Sequence, residues 1–467
     1  MSISSPHPRA SGRPRVVAPM IDGCAMMPIS ACAFALIAFP LLEFINKPSM
    51  EAVLSGADGR PEPRVFWPIM AATSVLLAIK YRSRLAKLTW PPHILALFGC
   101  VGLAGASVLW AYRPESSFIR FVQQFIIIIS IVLPTLLAAR TSDIMRALFL
   151  CFAFACILNM FFVLGGTATI VINAGSHGSY RDYLGSPGYF SFKNYLGECA
   201  TVTFLLSLYE ILCRGVRRVL GVIVALIAIF LVFSSDSKTA LGLALIAPVL
   251  AVLTVSARRI AGISPAVILS SIPLCYIALS SVTHYNMDLL AFKLYGDGTF
   301  TGRTIIWNFV QYEIKFRPLL GWGYESFWLV PGSPSSEAPG WVKMMPNAHN
   351  GYYDMTLEMG YLGLACLVVF ITATLHAIGR VADRDPAKAW LVLSVVLFII
   401  IYNGLETLWM HGFEFLWVVF VIVAAEIGRH FRPLPSARTA YGSRRRNPRG
   451  TGPSQRPPAR RLHAVPL

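Results

Sequence analysis

Charge is scarce in this sequence. Only 13% of its 467 residues are Asp, Glu, Lys or Arg, whereas 55% are hydrophobic. A soluble globular protein carries about twice that charged fraction. Apolar runs of roughly 17 to 25 residues recur along the chain, each long enough to cross a bilayer as a helix, whereas barrel strands would be shorter and would alternate in polarity. The sequence therefore predicts an all-α polytopic membrane protein.

Motifs for metal binding and disulfide bonding are also missing. The nine cysteines all fall within apolar stretches, and the sequence shows no Cys-x-x-Cys pair, no His-Glu-x-x-His segment and no carboxylate cluster with metal-ligand spacing. We therefore interpret the cysteines as small core residues, and we predict neither a metal site nor a cofactor.

Hydropathy predicts about twelve spans, of which the first runs from about Cys24 to Ile45 and the last two cover 389–410 and 412–428. If the N-terminus is cytoplasmic, Lys and Arg concentrate in alternate connections, as the positive-inside rule requires. The predicted division is a basic cytoplasmic tail (1–22), transmembrane helices 1–9 (23–282), a large periplasmic loop (283–350), helices 10–12 (351–428) and a disordered basic cytoplasmic tail (429–467).

The net charge of +17 would suit a nucleic-acid-binding protein if it lay on a folded domain. Much of it lies in the C-terminal tail, which is rich in Pro, Gly and Ser and almost devoid of apolar residues. No folded basic module accompanies the tail, so we interpret it as a topology signal and a lipid-surface contact and predict no nucleic-acid partner.

A polar cluster interrupts the apolar pattern at "MMPNAHNGYYDMTLEMGYLGL", Met344 to Leu364. It supplies one titratable imidazole, His349, at the N-terminus of a predicted span, where backbone N–H groups favour anions. At helical spacing, we expect one face to hold His349, Tyr353, Thr356, Gly360 and Gly363, with the glycines admitting a neighbouring helix, and the adjacent face to hold Asn350, Asp354 and Glu358. The alternative is a polar cap with an aromatic belt that only ends a span.

Several cations lie on the same predicted side of the membrane. Arg303 lies in the large loop, Lys238 begins the eighth predicted span, Arg181 precedes the sixth, and Lys193 and Asn194 lie about one turn inside the sixth. Each has an alternative role as a solvated or snorkelling side chain. Together, cations at helix N-termini and one imidazole suit a phosphate or diphosphate headgroup and a base that acts on a hydroxyl.

These segments resemble the O-antigen ligase superfamily, which includes O-antigen and exopolysaccharide polymerases. "HNGYYDMTLEMGYLG" fits its pattern of His-Asn, nine residues and Gly-x-x-Gly, and "TGRTIIW", "GWG" and "FKNYLG" are similar to segments found there. Ligases commonly have Ser-Arg-Thr where this chain has Ser237-Lys238-Thr239, and lysine keeps the charge but loses the bidentate fork. Ser-Lys-Thr together with "AHNGYYD" looks more like the exopolysaccharide-polymerase branch.

The resemblance implies a metal-independent glycosyltransferase of the bacterial inner membrane that uses an undecaprenyl-diphosphate-linked oligosaccharide on the periplasmic face. It makes His349 the base that activates the acceptor and Arg303 a diphosphate ligand, joined by Lys238, Lys193 and Arg181. The positioning residues are then Asn194, Asn347, Asn350, Tyr353, Asp354 and Glu358, and the structural glycines are Gly321, Gly323, Gly360 and Gly363.

Three alternatives remain open. A ligase would move a finished glycan onto lipid A core by the same chemistry. A transporter or flippase would need charges near mid-membrane and an inverted repeat, and no clear repeat is visible. A membrane scaffold without chemistry would not need the clustered cations. A chain-length regulator or an export protein would be a compatible protein partner of a polymerase.

Overall fold

The computed structural model describes residues 23–46, 61–139, 142–165, 185–283, 302–412 and 414–430, and every regular element in these ranges is a helix. The predicted all-α class is therefore confirmed. The α-helices are α1 (Gly23–Ala33), which continues through a π-helical turn into α2 (Phe39–Asn46), then α3 (Pro61–Lys80), α4 (Arg82–Leu85), α5 (Pro92–Ser107), α6 (Pro114–Leu137), α7 (Ile144–Leu164), α8 (Lys193–Leu212), α9 (Val216–Ser235), α10 (Lys238–Ala261), α11 (Pro265–Thr283), α12 (Arg303–Ile314), α13 (Gly351–Ala382), α14 (Pro386–Tyr402) and α15 (Phe415–Arg429).

Within these ranges, nine helices are long and apolar enough to cross a membrane. Helices α3, α14 and α15 fall outside that group, so the count of twelve spans stays a prediction. The predicted spans at 389–410 and 412–428 are too long, because α14 ends at Tyr402, the backbone over 403–412 is irregular, and α15 begins at Phe415.

Helix α15 is the most enclosed element. Every one of its residues from Phe415 to Arg429 is buried, and it packs along α6. A helix that is apolar on all sides needs such a central position. Around it α8 packs along α9, α10 along α14, and α13 along α5.

The long helix α13 is broken at Gly360, whose φ of 65° and ψ of −172° are not helical. The backbone groups freed by the break pair with the loop segment 318–323: Tyr361 N–H donates to Pro318 O at 2.7 Å, and Gly323 N–H donates to Glu358 O at 2.8 Å. A Cβ at Gly360 would lie 2.1 Å from Leu319 O, so the approach requires glycine. Irregular backbone at this depth is stable because another part of the chain satisfies it.

The predicted large loop is ordered over the part that the structure describes. Its helix α12 packs with Phe327, Trp328 and Val342 in a small second core, beside Leu357 of α13. Trp110 donates its indole N–H to Leu320 O at 2.9 Å, and Ser117 donates to Tyr324 O at 2.7 Å, which fasten the loop to α5 and α6. The loop therefore holds a defined position over one end of the bundle.

Candidate active site

Three polar side chains from distant parts of the chain converge on Glu406, in the irregular segment between α14 and α15. His349 Nδ1 lies 2.9 Å from Glu406 Oε2. Arg303 Nη2 donates to Oε1 at 2.5 Å, and Asn194 Nδ2 donates to the same oxygen at 2.8 Å. The predicted base and one predicted phosphate-binding cation are thus brought together by a carboxylate.

Two of these partners lie at helix N-termini. Arg303 is the first residue of α12, which follows Gly302 in a left-handed conformation (φ 87°), and Asn194 is the second residue of α8. Both helices present their positive ends toward the Glu406 carboxylate and, by the same field, toward an anionic ligand.

His349 occupies a strained backbone position. Its φ of 48° lies in the left-handed region, which is uncommon for residues other than glycine. Its N–H donates to Asn347 Oδ1 at 3.0 Å, and the preceding carbonyl, of Ala348, accepts from the Trp307 indole at 3.1 Å. The surrounding contacts hold the imidazole toward Glu406, a pattern often found at functional sites. Since α13 begins only at Gly351, the predicted helical face that included His349 is wrong.

Asn350 and Asp354 hold this loop rather than contact Glu406. Asn350 caps α13 by accepting from the N–H groups of Tyr352 and Tyr353, at 3.0 and 3.2 Å. Asp354 is buried and accepts from Trp328 Nε1 at 2.7 Å, from Ala348 N at 2.9 Å and from Thr407 Oγ1 at 2.5 Å. These contacts fix the His349 loop against the Glu406 segment, so their role in positioning is indirect.

Tyr353 and Glu358 lie further from the imidazole. Tyr353 packs its ring 6.0 Å from Trp307, and its hydroxyl accepts from Gln311 Nε2 at 2.5 Å. Glu358 is buried, and its carbonyl accepts the Gly323 N–H at the break in α13. Whether either side chain positions a substrate stays a prediction.

The four glycines predicted to be structural all lie at this break or at close approaches. Gly321 and Gly323 have φ of 67° and 97°, and Cβ atoms there would meet the backbone of Glu358 at 2.4 Å and of Ala111 at 2.3 Å. A Cβ at Gly363 would lie 2.4 Å from Met359 Cβ. At Gly360 the neighbour is the 318–323 segment, so the break brings the loop there instead of the expected helix. At Gly363 the nearest atoms belong to the preceding turn of α13, and the expected neighbouring helix stays a prediction.

The remaining predicted cations are not gathered around Glu406. Lys193, the residue before Asn194, pairs with Asp236 at 3.4 Å. Lys238 is exposed at the start of α10, and its neighbour Ser237 packs so closely on Gly197 that a Cβ there would lie 2.7 Å from Ser237 Cβ. Lys238 thus begins a helix that touches the first turns of α8, without an ion pair to Glu406. Arg181 lies outside the described residues.

Sequence reasoning missed Glu406 and a second acid, Glu414. Tyr195 donates its hydroxyl to Glu414 at 2.9 Å, and burial raises the pKa of Glu414 to about 7, although the bond from Tyr195 opposes that rise. The signal was the polar interruption "NGLET" followed by "HGFE", in a region interpreted as two adjoining spans.

The arrangement can support base catalysis. With its Nδ1 proton donated to Glu406, His349 presents the lone pair of Nε2, and the carboxylate stabilises the imidazolium that forms when Nε2 takes a proton. The positive charge of the Arg303 guanidinium favours phosphate oxygens nearby. Among the described residues, no group of three or more His, Cys, Asp or Glu side chains could hold a metal ion.

Comparison with known proteins places this site in a family context. Residues 223–368 match the family model described as O-Antigen ligase, a segment that contains Lys238, Arg303 and His349 but ends before Glu406. The Exopolysaccharide production protein ExoQ of Rhizobium meliloti (strain 1021) is 26% identical over 339 residues, covering 69% of this chain and 72% of that protein. The protein named Putative polysaccharide ligase RP358, of Rickettsia prowazekii (strain Madrid E), is 29% identical over 115 residues, 23% of this chain and 28% of that protein. The predicted resemblance to the O-antigen ligase and polymerase superfamily is confirmed.

Proposed function

We propose that this chain, which carries an O-antigen ligase domain over residues 223–368, is a membrane glycosyltransferase that polymerises undecaprenyl-diphosphate-linked repeat units into an exopolysaccharide or O-antigen. The observation that carries the proposal is the shared contact of His349 and Arg303 with Glu406. An imidazole and a guanidinium held by one carboxylate support a base beside a diphosphate-binding cation, which is what transfer from a glycosyl diphosphate needs.

In the proposed step, the acceptor hydroxyl donates its proton to His349 Nε2 while its oxygen forms a bond to the anomeric carbon of the donor. The bond between that carbon and the diphosphate oxygen breaks, and the diphosphate leaves with the electron pair. In-line attack inverts the anomeric configuration. Glu406 offsets the imidazolium charge, and Arg303, with Lys193 and Lys238 near the first turns of α8 and α10, offsets charge on the leaving group.

The similarity to ExoQ favours a polymerase, since that relative is named for exopolysaccharide production and aligns over most of both chains. The family description and the shorter matches to proteins named polysaccharide ligases favour the second candidate, a ligase that transfers a finished glycan to lipid A core. The proposed base and cations serve both reactions equally, so the acceptor distinguishes them.

The test uses the purified full-length protein in lipid nanodiscs. Undecaprenyl-diphosphate-linked repeat units are supplied alone or together with lipid A core, with and without a chelator. A polymerase gives a ladder of lengths from the repeat units alone, and chelator leaves the ladder intact. Product that appears only with lipid A core identifies a ligase. Absence of transfer to either acceptor would refute both assignments.

A further inference from the structure

A second binding site lies beside the Glu406 group. A cavity of about 780 Å³ opens between α11, α12 and α13. Its walls include Tyr276 of α11, Trp307 and Ile314 of α12, Lys315 just after α12, and Tyr353 and Leu364 of α13. Its volume falls in the range of sites that enclose a small organic ligand.

The cavity adjoins the proposed catalytic loop. Asn350, the residue after His349, forms part of its wall, and so does Trp307, whose indole N–H donates to Ala348 O at 3.1 Å. A molecule in the cavity would therefore lie directly behind the loop that holds the imidazole.

Three polar groups in the walls are already engaged within the protein. Gln311 Nε2 donates to Tyr353 OH at 2.5 Å, Tyr352 OH donates to Ile400 O at 2.8 Å, and Thr356 Oγ1 donates to Tyr352 O at 2.8 Å. A sugar would have to exchange its water contacts for groups that are largely engaged already, which disfavours it. The walls offer apolar and aromatic surface instead, which suits a hydrocarbon chain.

The rim of the cavity continues into surface that faces lipid. Tyr276 and Tyr361 are exposed, and their sequence neighbours Ile277 and Leu362 are exposed on α11 and α13, two of the helices long enough to span a membrane. Among the wall residues that the structure describes, only Lys315 is charged. It is exposed and lies near the loop. A chain could enter sideways from the bilayer with its phosphate near Lys315.

Lys315 and Arg303 are too far apart to bind one diphosphate. They lie at opposite ends of α12, 12 residues apart in sequence. At 1.5 Å per residue, their backbones are separated by about 18 Å along the helix axis. A lipid whose phosphate is held at Lys315 is therefore a different molecule from a donor held at Arg303.

We propose that this cavity binds the single isoprenoid chain of a lipid-linked acceptor, with Lys315 contacting its diphosphate, while Arg303 and His349 face the donor. The inference rests on the proposed function and adds where the lipid of the acceptor binds. The acceptor glycan extends from its diphosphate at Lys315 toward His349, so its distal hydroxyl reaches the base while its lipid stays in the membrane.

The test compares two acceptors in nanodiscs, the undecaprenyl-diphosphate-linked oligosaccharide and the same oligosaccharide without lipid. Leu364→Trp reduces the cavity volume and Lys315→Glu reverses the charge. Matched controls are Val369→Trp, at an exposed site on the same helix, and Lys343→Glu, at an exposed lysine of the same loop. For both cavity variants we expect the KM of the lipid-linked acceptor to rise about tenfold, the equivalent of about 1.4 kcal/mol. The donor KM and the rate with the lipid-free acceptor should be unchanged, and Lys315→Arg should restore the wild-type KM.

Two results would overturn the inference. One is a rise in the donor KM in the cavity variants. The other is equal behaviour of cavity and control variants, which would mean that bulk lipid alone occupies the space. If a Leu364→Trp sample is misfolded, the Lys315 pair still decides the outcome. Failure of the wild-type protein to transfer to any acceptor is a separate result, and it would refute the proposed function itself.

Discussion

Two carboxylates in this bundle, Glu426 and Glu406, each contact an arginine and a histidine, but their partners are supplied in different ways. At Glu426, Arg429 and His430 come from the same helix or its end, three and four residues away, and Lys388 comes from the neighbouring α14 at 2.6 Å. The Arg429 guanidinium also donates to the carbonyls of Ala139 and Ser142. The Glu426 side chain is 0% exposed.

At Glu406 the partners come from three separate segments, 57, 103 and 212 residues away. The carboxylate and the arginine there are more open: the side chains of Glu406 and Arg303 are 14% and 19% exposed, against 0% and 2% for Glu426 and Arg429. A closed network has every contact inside the protein and serves to lock helices together. A partly exposed network such as that of Glu406 keeps polar groups that a substrate can reach. The residue types in a network therefore do not show whether it stabilises the fold or binds a substrate.

The largest effect that would test this contrast is loss of the base. We expect His349→Ala to lower the rate of glycan transfer by about 10²–10⁴-fold, because general-base catalysis contributes that much. His411→Ala is the matched control, since His411 is also half-buried and lies 3.8 Å from a carboxylate, that of Glu325. Transfer is measured per folded protein. Full polymer yield from His349→Ala in cells that lack the native protein would remove its catalytic role.

For the Glu426 group we expect a substitution to reduce the stability of the protein and not its activity. We expect Glu426→Gln to lower the free energy of unfolding by about 3–5 kcal/mol, because Lys388 and Arg429 lose a buried counter-charge. Thermal unfolding in detergent measures the loss, and the transfer rate of the protein that stays folded should not change. A lower transfer rate at unchanged stability would show that the Glu426 group does more than stabilise the fold.

Glu406→Gln should slow transfer by about 100-fold, because the carboxylate no longer stabilises the imidazolium. The change should fall on kcat with either acceptor, while the KM of the lipid-linked acceptor stays the same. Glu325→Gln, at the acid beside the control histidine, should leave kcat near the wild-type value. An unaltered kcat in Glu406→Gln would mean that the carboxylate only holds Arg303.

Arg303→Lys should raise the donor KM by about tenfold, since lysine keeps the charge but cannot bind Glu406 and a phosphate with a planar fork. Arg317→Lys provides the comparison, because Arg317 lies in the same loop but stacks 4.5 Å from the Trp322 ring. Equal donor KM values in the two variants would argue that Arg303 only pairs with Glu406 and does not bind the donor.

The smallest effect is expected at the exposed pair of Arg258 and Asp383, 2.8 Å apart. Asp383→Asn should change the free energy of unfolding by less than about 1 kcal/mol, as is usual for surface ion pairs. The hydrogen bond from Arg258 lowers the pKa of Asp383. The pair therefore stabilises the fold above the ordinary carboxyl pKa and ceases to do so as pH falls through the lowered value. A stability difference between wild type and Asp383→Asn that grew toward acid pH would contradict this assignment.

Much of the site could be predicted because its residues lie in recognisable local patterns. His349 follows a proline-asparagine turn before an apolar run, and Arg303 lies in a short segment similar to the family pattern. Glu406 could not be found in this way. It resides in a polar interruption of an apolar run, and nothing nearby in sequence reveals its partners.

The break in α13 shows the same limit. The pattern at Gly360 and Gly363 is typical of close helix packing, and the structure uses both glycines for close approach. At Gly360 the approaching group is the loop segment 318–323, which hydrogen-bonds the broken helix, whereas the atoms nearest to Gly363 belong to its own helix. A glycine pattern indicates a close approach by another part of the chain, but it does not predict whether that part is a helix or a loop.

The sequence by itself determined that this chain is a bundle of apolar helices, because the hydrophobic effect acts on each run of residues independently and backbone groups in lipid must pair within their own segment. It also indicated the imidazole and the arginine. Only the tertiary structure decided that both meet at Glu406 and that Glu426 is sealed while Glu406 is open. Those outcomes depend on contacts between segments up to 290 residues apart, which no local pattern encodes.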